Sequence, residues 1–198
     1  MYESFGQKHS SQCAPYSVMS RLFLEKYNNN HHSAYFMFVR VKKIKGKEYA
    51  YLVQNEWTPW GSRQKVAKYL GKAHKIERIS ENAKQLPAGF QQTVIESIAQ
   101  ELENHGFSRQ DTNLVKENFT VSMNDKTIRF NGKRAVLGMN EGYLCDETIQ
   151  QLLTFIPEEK AEANAKKLAN LVLEAGLKLN SEQFLHLFEQ VKNNIKEA

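Results

Sequence analysis

The chain has 198 residues, 41% of them hydrophobic and 25% charged, which suits one domain or two small ones and is too ordinary for wholesale disorder. No apolar run approaches the length of a membrane-spanning helix, and MYESFGQKHSSQC has no continuous apolar segment, so neither a membrane partner nor a secretory signal is expected. Two cysteines far apart, Cys13 and Cys145, make no disulfide framework and suit a reducing cytoplasm.

The net charge of +5 is unevenly spread. Residues 35–78 hold eleven cations against three Glu, net +8: Arg40, Lys42, Lys43, Lys45, Lys47, Arg63, Lys65, Lys68, Lys72, Lys75 and Arg78. Residues 79–198 are net −4. A block holding more than the whole positive excess attracts phosphate backbones or acidic surfaces. A solvated lysine-rich hairpin without a ligand is the plain alternative, since lysines also guard strand edges against aggregation.

In chain order, residues 1–34 read as a poorly ordered N-terminal extension. The run Asn28-Asn29-Asn30-His31-His32-Ser33 has no periodicity, and YSVMSRLFLEKY over 16–27 makes a weakly amphipathic helix at most. Residues 35–80 read as a basic β module of three strands. In the first, Tyr35, Met37, Val39 and Val41 share one face and Phe36, Phe38, Arg40 and Lys42 the other. Lys45-Gly46-Lys47 is a turn. The second strand puts Tyr49, Tyr51, Val53 and Trp57 on one side, and Thr58-Pro59-Trp60-Gly61-Ser62 is a loop. The third alternates Gln64, Val66, Lys68 and Leu70 against Arg63, Lys65, Ala67 and Tyr69. A meander this small needs a surface to pack on.

Residues 84–198 read as a mixed, mainly helical domain. Pro87 suits a first helical turn, followed by the stripe Phe90, Val94, Ile95, Ile98, Ala99 and Leu102, with Gly106 as the stop. A β-hairpin is expected near 118–134, with turn signals at Asn124-Asp125 and Asn131-Gly132. Three amphipathic helices close the chain. Asp146 caps one carrying Ile149, Leu152, Leu153 and Ile156. Ala161, Ala165, Leu168, Val172 and Ala175 mark the next, and Phe184, Leu187, Phe188, Val191 and Ile195 the last. The fold class is therefore α+β: a basic three-stranded antiparallel module, a helix, a β-hairpin and a C-terminal helical region.

Few residues suggest catalysis. His9, Cys13, His31 and His32 match no common zinc spacing, so no metal is expected. Cys145 could pair with His74, His105 or His186 as a nucleophile, but before a helix it reads better as a small buried residue. Glu141, Asp146 and Glu147 near Asn140 are carboxylates of the kind that hold Mg²⁺, though helix N-termini favour acids for dipole reasons alone. No P-loop, G-x-G-x-x-G, H-E-x-x-H, C-x-x-C or G-x-S-x-G occurs, and no cofactor is expected. The basic block instead interleaves cations with aromatics, the pattern by which side chains hold phosphates and stack bases. The candidate nucleic-acid-binding residues are Arg40, Lys42, Lys43, Lys45, Lys47, Trp57, Trp60, Arg63, Lys65, Lys68, Tyr69 and Lys72.

The same stretch, YFMFVRVKKIKGKEYAYLVQNEWTPWGSRQKVAKYLGK, resembles the N-terminal region of IS1634-like and IS4-like transposases. Similar stretches precede other domains in archaeal and bacterial proteins of unknown role. The shared pattern is Lys45 to Lys47, Tyr49 to Val53, Arg63 to Lys65 and Tyr69 to Lys72, about a fifth of the chain. The resemblance implies a DNA-associated β module and favours DNA over RNA. It does not imply transposition, because the rest of the chain is too short and helical for a ribonuclease-H-like domain. The expected function is non-enzymatic nucleic-acid binding. The alternatives are an adaptor whose C-terminal helices bind a protein partner or form a homo-oligomer, and a small Mg²⁺-dependent nuclease using Glu141 or Asp146.

Overall fold

A computed structural model describes residues 37–158 and 161–197, with side chains to residue 191. The expected N-terminal extension, the helix over 16–27, Tyr35, Phe36 and the His9, Cys13, His31 and His32 set lie outside the described residues, as does the side chain of Ile195. Met37–Ala198 form one compact unit. It is α+β: a largely antiparallel sheet with four helices among the described residues. None of these helices is long and apolar enough to cross a membrane.

Three strands open the unit, β1 (Met37–Ile44), β2 (Lys47–Thr58) and β3 (Gly61–Lys75). Lys45 and Gly46, with φ of 49° and 78°, make the tight turn between β1 and β2. The meander continues into the rest of the unit through β3, which pairs in parallel with β8 (Lys133–Met139). Parallel strands need a long crossover. Here it contains the helix α1 (Phe90–Asn104) and the short strands β4 (Ser108–Gln110), β5 (Asn113–Lys116), β6 (Phe119–Ser122) and β7 (Thr127–Phe130). The sheet runs β1-β2-β3-β8-β7-β6-β5-β4, and β9 (Gly142–Leu144) adds to β8. The expected hairpin near 118–134 is thus β6–β7, one part of a longer meander. Of the strands beside it, β5 with four residues is too short to show an alternation of its own, and β8 is a continuous buried run from Ala135 to Met139.

Gly71 allows the β3–β8 approach. A Cβ there would stand 2.7 Å from the Arg134 carbonyl oxygen, and φ is 131°. Two β-bulges, between Ala50/Tyr51 and Leu52/Val53 of β2, put extra residues into β3. Each bulge advances β3 by one residue against its partner, so the simple alternation expected for the third strand fails. Lys68 aligns with Leu52, while Val66 and Tyr69 align with Val53 and Tyr51.

The main core joins Val94, Ile98 and Leu102 of α1 to Val121, Ile128 and Leu137 of the sheet. The helices α2 (Asp146–Leu153), α3 (Ala161–Glu174) and α4 (Ser181–Glu197) close it with Ile149, Leu152, Leu168, Val172, Leu187 and Val191. The described part of the last helix's apolar stripe, Phe184, Leu187, Phe188 and Val191, therefore packs on the chain's own core. Ile156, expected on the α2 stripe, is exposed, because the helix ends at Leu153. A smaller cluster of Ala50, Leu52, Leu70, Ala73, Val136 and Cys145 sits under the basic meander, with Met37, Val39 and Val41 against it. This is the packing surface the small meander needs.

Two helix starts differ from expectation. α1 begins at Phe90 with Gly89 as its cap. Pro87 lies before it, and the Pro87 carbonyl accepts a hydrogen bond from Thr93 Oγ1 at 2.7 Å. Cys145, not Asp146, caps α2, and Thr148 Oγ1 accepts from the Cys145 amide at 2.9 Å. Asp146 is spent on tertiary contacts instead. α1 does end at Gly106, whose φ of 85° turns the chain so that the Phe107 amide reaches the Leu102 carbonyl.

Polar side chains of α1 hold the connector between β3 and α1. Asn104 Oδ1 accepts from the Asn82 amide and Ser80 Oγ, and Gln100 Oε1 accepts from the Lys84 amide. Glu101, fully buried, meets Asn140 Nδ2 at 2.8 Å, Arg78 Nη1 at 3.3 Å and His105 Nδ1 at 3.3 Å. The connector has no regular partner strand, so these side chains satisfy its backbone.

Candidate nucleic-acid interface

Cross-strand register divides the basic residues between two faces of the β1–β2–β3 meander. Arg40 aligns with Tyr51 and Tyr69, and Lys42 with Tyr49 and Lys72. These residues share the outer face. Val39, Leu52 and Lys68 align on the inner face, with Met37, Gln54 and Lys65 next to them. The inner face rests on the smaller core and on α2, where Gln151 Nε2 donates to the Met37 carbonyl.

The outer face carries an aromatic floor edged with cations. Tyr51 and Tyr69 rings lie 5.5 Å apart between centroids, and Tyr49 and Tyr69 6.5 Å apart. Lys42 Nζ stands 5.6 Å from the Tyr51 ring centroid, in cation–π range. Partial burial, then the nearby Tyr49 and Tyr51 hydroxyls, raise the pKa of Tyr69. Its phenol stays neutral at physiological pH and can donate a hydrogen bond. Tyr69 is 51% exposed.

All twelve predicted site residues are exposed, but the fold does not use them alike. Lys68 Nζ reaches Glu147 Oε1 on α2. Lys75, outside the predicted set, lies 3.8 Å from Glu48. Among the described residues, Arg40, Lys42, Lys43, Lys45, Lys47, Arg63, Lys65 and Lys72 have no ion-pair partner. Lys45 sits in the β1–β2 turn, and Lys43 and Lys47 flank it on the two strands.

Within the described residues β1 pairs with β2 from Ile44 back to Met37, which lies opposite Gln54. Asn55–Thr58 of β2 pair with Gly61–Gln64 of β3. Thr58 Oγ1 donates to the Gly61 carbonyl at 2.7 Å and closes the Pro59-Trp60 tip, where Gly61 has a φ of 108°. Trp57 is 69% exposed and Trp60 86%. Trp57 at the end of β2 and Trp60 in the turn after it lie where the sequence reading puts them.

The other chemically suggestive residues are engaged elsewhere. Both Asp146 oxygens face donors: the Ile128 amide at 2.8 Å, Arg129 Nη1 at 3.0 Å and Arg134 Nε at 3.3 Å. Glu147 faces Lys68 and Arg134. These carboxylates staple α2 to β3, β7 and β8. Cys145 is buried, burial pushes its thiol up to about 11, and its polar neighbour is Thr148 Oγ1 at 3.6 Å. His74 packs on Phe119 and Phe130, His105 on Glu101, and His186 meets the Pro87 carbonyl. The stretch around Asn140 is structural. Asn140 Nδ2 donates to both Glu101 and the Gly176 carbonyl, and Gly142 lets the end of α3 approach.

Comparison with family models, with curated proteins and with solved structures finds no match to this chain.

Proposed function

We propose that the protein binds nucleic acid without catalysing a reaction on it, with DNA the favoured partner and the β1–β2–β3 meander the contact surface. The observation that carries this reading is the set of eight exposed cations, without ion-pair partners among the described residues, around an aromatic floor and the exposed tryptophans of the β2–β3 loop. Lysines and arginines in this state displace condensed counterions from a phosphate backbone, giving affinity with little sequence choice. The sequence resemblance to insertion-sequence transposases favours DNA over RNA.

Fluorescence anisotropy with labelled DNA and RNA over a salt series tests it. For a handful of contacts, log K against log salt should fall with a slope of roughly −3 to −6, from about −0.9 per phosphate neutralised on duplex. Lys42→Ala/Lys72→Ala should make that slope shallower by roughly 2. No binding at low salt would overturn the reading and leave an acidic protein surface as the partner of this face.

A further inference from the structure

We infer that the outer face of the meander takes DNA as a single strand, with an unpaired base stacked on Tyr69 and the neighbouring phosphates held by Arg40, Lys42 and Lys72. This rests on the proposed nucleic-acid reading and adds to it the form of the polymer and the residue that meets a base.

Cross-strand register lays the face out in two rows. Arg40, Tyr51 and Tyr69 form one row across β1, β2 and β3, and Lys42, Tyr49 and Lys72 form the next. The rows are about 7 Å apart, two residues along a strand at about 3.3 Å each, and β1 lies about 10 Å from β3. Aromatic rings therefore sit between cations on β1 and Lys72 on β3, and neither row holds a carboxylate that would repel a phosphate. Tyr69 is the ring best placed to meet a ligand. Tilted contacts with Tyr51 and Tyr49 brace it from β2, with centroids 5.5 and 6.5 Å away, yet it is 51% exposed. Lys42 already stands over the Tyr51 ring, and among the described residues no cation stands over Tyr69. The fold does not need Tyr69 for anchoring, because the meander packs on its inner face through Ala50, Leu52 and Leu70.

The form of the polymer follows from where its bases face. In a duplex the base faces are covered by their neighbours, and the base edges lie at the floor of a groove about 12 Å wide and about 8.5 Å deep. Three strands with their side chains span roughly 15 Å, so this face meets only the sugars and phosphates of a duplex and leaves Tyr69 without a base. A single strand turns unpaired bases outward. A ring among cations then stacks a base while the cations hold the backbone.

The experiment titrates the full chain into fluorescein-labelled 20-nucleotide oligo(dT), its duplex with oligo(dA), and oligo(U), recording anisotropy across a salt series. A strand of the same length alternating thymine with 2-aminopurine reports stacking through its emission. The expected result is oligo(dT) binding at least about tenfold tighter than duplex in the same salt, with 2-aminopurine emission changing at the anisotropy midpoint. Tyr69→Ala should weaken oligo(dT) binding roughly 5- to 150-fold, the range for one stacked base, with an unchanged salt slope because tyrosine carries no charge. Its duplex affinity should stay within about twofold of wild type. Tyr69→Phe keeps the ring and should hold oligo(dT) affinity within about threefold. Duplex binding as tight as oligo(dT) binding, unchanged 2-aminopurine emission in the complex, or equal losses for both polymers in Tyr69→Ala would overturn the stacking and leave phosphate binding standing. Tighter binding of oligo(U) than of oligo(dT) would overturn the assignment to DNA. No anisotropy change with any polymer in low salt would overturn the inference together with the nucleic-acid reading it rests on.

Discussion

Lys68 on β3 and Glu147 at the start of α2 form an ion pair, Nζ to Oε1 at 2.5 Å, across the inner face of the basic meander. One of the cations that sequence alone assigns to phosphate binding is therefore occupied in holding the meander to a helix. Lys42 and Lys72, on the outer face, have no such partner among the described residues.

Lys68→Ala should consequently cost about 0.2–1 kcal/mol of stability, the range of a partly exposed pair, and should change the salt slope of DNA binding less than Lys72→Ala does. Urea unfolding and the anisotropy series measure the two effects. Equal loss of slope in both variants would show that Lys68 leaves Glu147 to bind phosphate.

Glu101 is the buried anchor of the connector. Glu101→Ala removes a carboxylate that Arg78, His105 and Asn140 share, leaving a largely buried guanidinium without its carboxylate. The expected cost is roughly 3–5 kcal/mol, as for other broken buried ion pairs, read as a lower urea midpoint. A variant within 1 kcal/mol of wild type, about the value of an exposed pair, would mean that solvent reaches this site.

Gly142 and Gly176 interlock the β8–β9 turn with the end of α3. A Cβ on Gly142 would stand 2.2 Å from the Leu173 carbonyl oxygen and 2.4 Å from the Gly176 amide. Backbone cannot retreat as a flexible side chain does, so Gly142→Ala should destabilise by about 2 kcal/mol or more. Gly46→Ala meets open space at a φ of 78° and should cost only the left-handed strain, about 1–2 kcal/mol. Thermal melts of the two variants should rank in that order.

Glu174 makes stability pH-dependent. Burial lifts its carboxyl from an ordinary 4.5 to about 7, and its Oε2 has no hydrogen-bond partner among the described residues. Below pH 4.5 the group is protonated folded and unfolded, and no penalty arises. As pH rises toward 7 the unfolded chain ionises first, so stability falls, and the loss is complete above the folded value. The wild-type urea midpoint should therefore drop between pH 5 and 8 more than that of Glu174→Gln. Parallel curves would remove Glu174 as the cause.

The sequence alone determined the α+β class, the three basic strands, the Lys45-Gly46 turn, the α1 stripe and its Gly106 stop, and the charge asymmetry. These are local properties: side-chain period, backbone freedom and formal charge are written residue by residue. Tertiary structure decided the rest. The bulges bring Val66 onto the face of Tyr69, where simple alternation opposes them, and bulges exist only between paired strands. The meander joined the other strands because β3 found β8, with Lys72 aligned to Ala135 far along the chain. Asp146 left its local capping role because Arg129 and Arg134 arrived beside it from strands distant in sequence. In each case the deciding partner was remote along the chain, and only folding brings it near.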